Sequence, residues 1–442
     1  MIGRLLRVPL VGRTMLVLGA IAVSYVLAYG ISLAWVSSSE RVLDREWERL
    51  VGPTRVQGAT FTPMTENEPA RRADRLCREL GISLKPLKEL PEGPPTPWEG
   101  VERSFHRYLQ DELPRESSKI TPVPPEIEAF LEEHRDVIAE LRATFCGEEA
   151  PRWNVAPGHL VGDDGPHLLG FLFLSKCFLV DALAGELRGD SLSVEMDLEA
   201  SWRISEHLLS RLELHAQEMA MAIGGFQSGV LRKVTSDHDL WRERLRHARY
   251  RTSLLRAWQH EAWIYREAGR YLGRVPFYRK LNRRERILWR TFGRVWRRMA
   301  YADISRRYLR EMEILNAAGS CRGDYPSVTE DVFDTIPWWN EPAKMSLKNL
   351  GAYRARLERL GMDQELTGKV LLIQDLVAGN GGKWPRSIQG IQHSRCPRGR
   401  WIYTVNGEEE MRIAYSDPNL YPPRKGVIEL SLSYVSGPRP VH

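Results

Sequence analysis

Residues 167–187 read HLLGFLFLSKCFLVDALAGEL. Twenty-one mostly apolar residues are enough to cross a bilayer, so this stretch decides between a chain that threads a membrane twice and one that folds around a buried helix. Lys176 and Asp181 interrupt the run, and each is costly in hydrocarbon. The segment therefore reads as a core helix. Gly189-Asp190 follows as a stop and a cap. Val194, Leu198, Trp202 and Leu209 then form one apolar stripe, which predicts a second helix folded back on the first. A third helix is expected from about Glu213 to Val234. The turn is reminiscent of a tetratricopeptide unit, but no second copy recurs at a period of 34, so only helical hairpins are carried forward.

Upstream, TMLVLGAIAVSYVLAYGISLAWV (14–36) contains no charge in 23 residues. At ~1.5 Å per residue it covers the ~30 Å hydrocarbon layer. Arg4, Arg7 and Arg13 precede it without an acidic residue, whereas Glu40, Arg41, Asp44, Arg45 and Glu46 follow in mixed sign. Positive-inside reasoning then holds 1–13 in the cytoplasm and sends 37–442 to the far side. The expected location is the cell membrane, single-pass, with the bulk of the chain extracytoplasmic. A cleaved signal peptide competes, with Ser32-Leu33-Ala34 as its cleavage site, but its apolar core spans only ~7–15 residues. Ala20, Ser24, Ala28 and Ser32 recur every four residues, a candidate face for packing on another helix in the membrane.

The fold class expected is mainly α: a transmembrane helix, a helical-hairpin domain and a small C-terminal α+β module. The boundaries read 1–13 basic tail, 14–36 anchor, 37–126 proline-rich neck, 127–362 helical domain and 363–442 C-terminal module. The neck rests on clusters such as LPEGPPTPW and PRESSKITPVPP. Ser236-Asp237-His238-Asp239 reads as a capping box opening a long helix.

The 442 residues carry 63 basic and 57 acidic side chains, a net charge of +6. From Arg242 to Arg310 there are 20 arginines and one lysine against four glutamates and one aspartate, a net +16, so the rest of the chain carries −10. Trp258, Trp263, Tyr265, Tyr271, Trp289, Phe292 and Trp296 interleave with these cations. One reading is a solvated arginine face over a helical core. A second makes Arg279, Lys280, Arg283, Arg286, Arg290, Arg294, Arg297 and Arg298 a surface for lipid headgroups or an acidic partner. Nucleic acid is the third, and an odd one outside the cytoplasm.

Five cysteines (Cys77, Cys146, Cys177, Cys321, Cys396) show no CxxC spacing. In an oxidising compartment Cys77 with Cys146 and Cys321 with Cys396 are candidate bridges, leaving Cys177 a buried thiol; five reduced cysteines are the alternative. His159, Asp163, Asp164 and His167 use metal-friendly side chains, with helix capping as the ordinary explanation. His215 and Glu218 stand at i and i+3, short of HExxH, and Glu132, Glu133, His134 and Asp136 belong to a charged helix face. No nucleophile elbow, P-loop or dinucleotide fingerprint occurs, so no catalytic residue, cofactor or small-molecule substrate is named.

At the C-terminus a helix over 364–379 leads into GNGGKWPRSIQGI. WIYTV, an Asn406-Gly407 turn, EMRIAYS and VIELSLSYV follow, which predicts about three antiparallel strands with Trp384 and Trp401 in their core. This helix, NGG-x-W-P, the Gln389-Gly390-Ile391 triplet and the Tyr-containing hairpin resemble the C-terminal part of type II secretion pseudopilins and of uncharacterised signal-anchored bacterial proteins. The likeness covers 364–436. It implies the module's shape and an extracytoplasmic position, whereas the pseudopilin processing signal is absent and Cys396-Pro397-Arg398-Gly399 replaces the usual turn. The functional expectation is a non-enzymatic interaction or scaffold protein of a bacterial envelope, in contact with membrane lipids and with a protein partner through its transmembrane helix or helical domain. The rivals are an envelope enzyme and a pseudopilin-like assembly subunit.

Overall fold

A computed structural model describes residues 10–52, 65–84, 96–154, 167–271, 293–317, 350–406, 410–417 and 431–436; the side chains of 10–13, 267–271, 294 and 317 are outside that description. The chain is mainly helical, with a three-stranded antiparallel sheet near its C-terminus. Its contacts divide it into two units. Of the described residues, 10–52, 261–271 and 293–313 belong to the first unit and the others to the second.

The first unit is built on α1 (Leu10–Leu50), α10 from Glu261 onward and α11 up to Glu313, where α10 is Tyr250–Tyr271 and α11 Gly293–Ala317. The apolar run of α1 is long enough to cross a membrane, and none of its most apolar eighteen residues is buried. The helix does not end at residue 36 with the apolar run. It continues to Leu50, and Val36, Leu43 and Trp47 are buried on one stripe. Their i, i+7, i+11 spacing is that of a helix packing one face.

The second unit centres on α6 (Leu168–Arg188), α7 (Ser191–Ser210) and α8 (Leu214–Leu231), three successive helices packed on one another. Gly189 takes the left-handed conformation at φ 73°, and Asp190 caps α7 by accepting from the Ser193 amide at 3.2 Å. Positive φ is what glycine supplies there without steric cost. Of the apolar window in α6, 78% is buried, so it is a core helix, and Val194, Leu198, Trp202 and Leu209 of α7 are buried as a stripe.

Around this hairpin lie α2 (Glu68–Glu79), α3 (Pro97–Glu112), α4 (Pro125–Glu133), α5 (Arg135–Cys146) and α9 (His238–Arg246). The contacts divide the chain differently from the sequence boundaries. Residues 96–126 are not a neck outside the core: Trp98, Phe105, Tyr108 and Leu109 are buried, and Trp98 meets Phe105, Phe130 and Phe173 with ring centroids 4.9–5.9 Å apart. Thr96 and Glu99 close a capping box and Pro97 opens the helix, so proline here starts a helix instead of marking a linker. At α9 the cap is Asp237, which accepts from Leu240 at 3.1 Å, and not Ser236. That helix stops at Arg246, and a separate one begins at Tyr250.

The C-terminal module belongs to this same unit. Its helix α12 runs Leu350–Gly379, fourteen residues earlier than expected, and packs on α8 and α9. β1 (Trp401–Asn406), β2 (Glu410–Tyr415) and β3 (Ser433–Ser436) are antiparallel in the order β1-β2-β3. Asn406 pairs with Glu410, so three residues join the strands instead of a two-residue Asn-Gly turn. Pattern explains the register. A two-residue turn would set Trp401, Tyr403 and Val405 opposite Arg412, Glu410 and Glu408, whereas the observed pairing sets them opposite Tyr415, Ile413 and Met411 and keeps one face apolar. Trp384 and Trp401 are both in that core with Met362, Leu366, Val370 and Ile373 of α12.

Two buried cations after α8 join the module to the helices. Arg232 donates to Thr367 at 2.9 Å and to the Asp363 and Ser431 carbonyls at 2.8 and 3.2 Å, and Tyr434 donates to the Arg232 carbonyl at 2.7 Å. Lys233 reaches Glu112 of α3 at 2.9 Å and the Ser117 carbonyl at 2.7 Å. The segment after α3 also bonds to β3 through Glu116 and Ser118. A lone buried charge is expensive, so these pairs fix how the pieces fit. Cys77, Cys146, Cys177 and Cys396 are free thiols, so the Cys77–Cys146 bridge is not formed; Cys321, and with it the Cys321–Cys396 pairing, lies outside the described residues. Burial pushes the Cys77 and Cys177 thiols well up, as expected of inert core cysteines.

Candidate functional site

Among the described residues, charge gathers at the end of α1 in the first unit and in a cleft in the second, as well as at the buried pairs already described. Past its apolar run, α1 presents Ser39, Glu40, Asp44 and Trp47 to the arginine tract. Arg266 binds Asp44 at 2.7 Å and lies over the Trp47 ring, 5.4 Å from its centroid. Arg298 clasps Glu40 with two bonds, at 2.8 and 2.5 Å, and this pairing raises its pKa. Arg306 reaches the Ser39 hydroxyl at 2.7 Å, and Arg49 of α1 meets Glu313 at 2.9 Å. Such fork-to-carboxylate bonds are the strong, directional kind.

Of the cations expected to face lipid or an acidic partner, Arg298 thus already holds an acidic partner in its own chain. Arg297 is half-buried and donates to the Gly293 carbonyl at 3.2 Å. Arg279, Lys280, Arg283, Arg286 and Arg290 lie outside the described residues, as does the Arg294 side chain. Elsewhere in the tract Arg242, Arg244, Arg246 and Arg249 are ion-paired to Asp375, Glu199, Glu243 and Glu206. On the apolar run of α1, Ala20, Ser24 and Ala28 are exposed, and Ser32 is half-buried with its hydroxyl on the Ala28 carbonyl at 2.8 Å.

The cleft lies among α4, α5, α6 and α7 and has a volume of about 690 Å3. Ile138, Leu141 and Phe145 bury one face of α5, and Arg142 shares that face, so its guanidinium points inward. There it meets Asp197 of α7 through Nε at 2.5 Å and Nη2 at 3.1 Å, and Asp181 of α6 through Nη2. Asp197 is fully buried and Asp181 nearly so. Arg188, half exposed, contacts the other Asp181 oxygen at 3.3 Å. Burial, then the Asp181 charge, push the Asp197 carboxyl well above the usual range against the pull of Arg142. Burial works against the Arg142 charge, but Asp197 and Asp181 outweigh it and raise its pKa. Leu131, Ala184 and Leu187 form apolar walls; Glu128, Glu132, Arg135 and Asp190 stand around the opening.

Sequence reasoning flagged Asp181 only as a break in an apolar run and missed Arg142 and Asp197. The usable signal was Arg142 on the stripe of Ile138 and Phe145: a charge on a buried face needs a counter-charge. Among the described residues no group of three or more His, Cys, Asp or Glu is placed to hold a metal ion. His159, Asp163 and Asp164 fall outside them, and the His167 ring faces the Ser83 carbonyl at 3.2 Å. Glu218 is ion-paired with Arg356, Glu132 pairs with Arg135, and the His134 ring packs edge-on against Phe130 at 4.6 Å. No protein-family model, curated protein or solved structure matches the chain.

Proposed function

We propose that this chain is a membrane-anchored, non-enzymatic interaction or scaffold protein of a bacterial envelope, its N-terminus cytoplasmic and its folded units beyond the bilayer. The observation that carries the reading is the contrast within α1. Its most apolar stretch is unburied, whereas Val36 at the end of the apolar run and Leu43 and Trp47 beyond it are buried and Glu40 and Asp44 are ion-paired. Exposed apolar surface of that extent needs a nonaqueous neighbour. Arg4, Arg7 and Arg13 on one flank favour retention of that flank in the cytoplasm. The pseudopilin-like likeness of 364–436 is in keeping with an extracytoplasmic module.

The test is fractionation of the full chain with a reporter at the C-terminus. The protein should resist alkaline carbonate extraction, and a periplasm-dependent reporter after His442 should be active. Release by carbonate would remove the anchor, and activity of a cytoplasm-dependent reporter alone would reverse the topology. N-terminal sequencing of the mature protein separates this reading from an assembly subunit, which would start just after Gly12.

A further inference from the structure

We infer that the cleft among α4, α5, α6 and α7 binds an alkyl cation, an arginine- or lysine-type group on an apolar stem. The floor sets the sign. One guanidinium, Arg142, is shared by two buried carboxyl groups: it bonds both oxygens of Asp197 but only one of Asp181, which leaves the other Asp181 oxygen to a further cation. That cation is Arg188, which stands half exposed in the last turn of α6 and reaches Asp181 at only 3.3 Å. A side-chain guanidinium of the chain's own thus already rests on the outward oxygen of Asp181. A ligand cation of the same chemistry would take its place while Arg188 swings to solvent, with no buried charge left unpaired.

The surroundings favour a cation over an anion. Each arginine lining the cleft faces a carboxylate: Arg135 has Glu132, Arg142 has Asp181 and Asp197, and Arg188 has Asp181. Glu128 at the opening makes no ion pair among the described residues, so an incoming cation finds one carboxylate uncommitted. Leu131, Ala184 and Leu187 offer the apolar wall that a methylene stem covers. The volume, about 690 Å3, lies within the ~300–1,000 Å3 of ligand clefts and exceeds what one side chain fills. This inference rests on the second unit being an interaction module, and it is read on purified protein, so its failure and a failure of membrane placement are separate results.

The experiment is titration calorimetry on the full chain in detergent at low salt. Its probes are agmatine, the peptide acetyl-Gly-Arg-Gly-amide, and the same peptide with neutral citrulline for arginine. Arg188→Ala removes the internal competitor and should tighten binding of both cationic probes by at least about ten-fold over the wild type, while the citrulline peptide stays unbound. Arg188→Gln, which keeps a polar side chain in the turn, should do the same and serves if the alanine variant fails to fold. Adding Glu128→Gln to either should weaken binding about three-fold. Equal affinity for agmatine and the arginine peptide identifies a free small cation, and tighter peptide binding identifies a basic chain segment. No gain in a folded Arg188 variant, or equal binding of the citrulline peptide, overturns the inference.

Discussion

Two helices among the described residues, α1 and α6, are long and apolar enough to cross a membrane and meet opposite fates: none of the apolar window of α1 is buried, against 78% of that of α6. The difference lies in what each carries and where. α6 holds Lys176 and Asp181 in mid-run, both buried, and gives Asp181 a counter-charge from Arg142. α1 holds no charge from Thr14 to Val36 and defers its carboxylates to Glu40 and Asp44, where arginines meet them. Average apolarity says that a helix avoids water. The placement of its charges says what it avoids water with.

The comparison breaks first at Arg142. Arg142→Met leaves Asp181 and Asp197 together without their shared cation and should cost about 3–5 kcal/mol, read from chemical denaturation of the full chain in detergent. A cost under about 1 kcal/mol would mean that the triad does not hold α6 in place. Next come matched truncations. Leu174→Ala on α6 removes a fully buried side chain and should cost about 3 kcal/mol, whereas Leu18→Ala on α1 should leave the same unfolding curve unmoved.

Lys176 sharpens the contrast with the opposite sign. It is buried against Phe173 and Phe226, its nearest polar partner is the His106 ring nitrogen at 3.4 Å, and burial lowers its pKa although Glu102 pulls the other way. A cation whose folded pKa is depressed costs stability while it stays charged, and the cost fades as pH rises from the folded pKa towards 10.5. Lys176→Met should therefore stabilise by about 1–2 kcal/mol near neutral pH, with the gain shrinking in alkaline buffer. A gain that does not vary with pH would point to packing instead of charge. The smallest effect belongs to the turn that ends α6. Gly189→Ala meets no atom within 4 Å, so its cost, about 1 kcal/mol, is that of the left-handed backbone alone. A larger loss of melting temperature would show that the hairpin turn is crowded after all.

Local signals were legible in the sequence. Gly189-Asp190, the α7 stripe and the third helix announce themselves within a few residues, and so does the apolar run of α1. Two signals of the same kind were present and outweighed: Thr96-Pro97-Trp98-Glu99 has the capping-box spacing, and the parity of Trp401, Tyr403 and Val405 against Met411, Ile413 and Tyr415 forbids a two-residue turn. Proline density and the Asn-Gly pair are strong priors, but apolar burial outweighs both. The cleft was not legible. Its floor joins Arg142 to partners 39 and 55 residues away, and no periodicity within one helix encodes such a pairing.

The continuity of α1 has a mechanical side. From Leu10 to Leu50 the helix is unbroken, about 60 Å at 1.5 Å per residue, and Trp47 and Asp44 are gripped near its far end. A proline or a glycine pair between the two stretches would act as a swivel. Without one, a twist of the apolar segment about its own axis arrives at Trp47 and Asp44 as the same twist, and the segment behaves as a drive shaft instead of a tether.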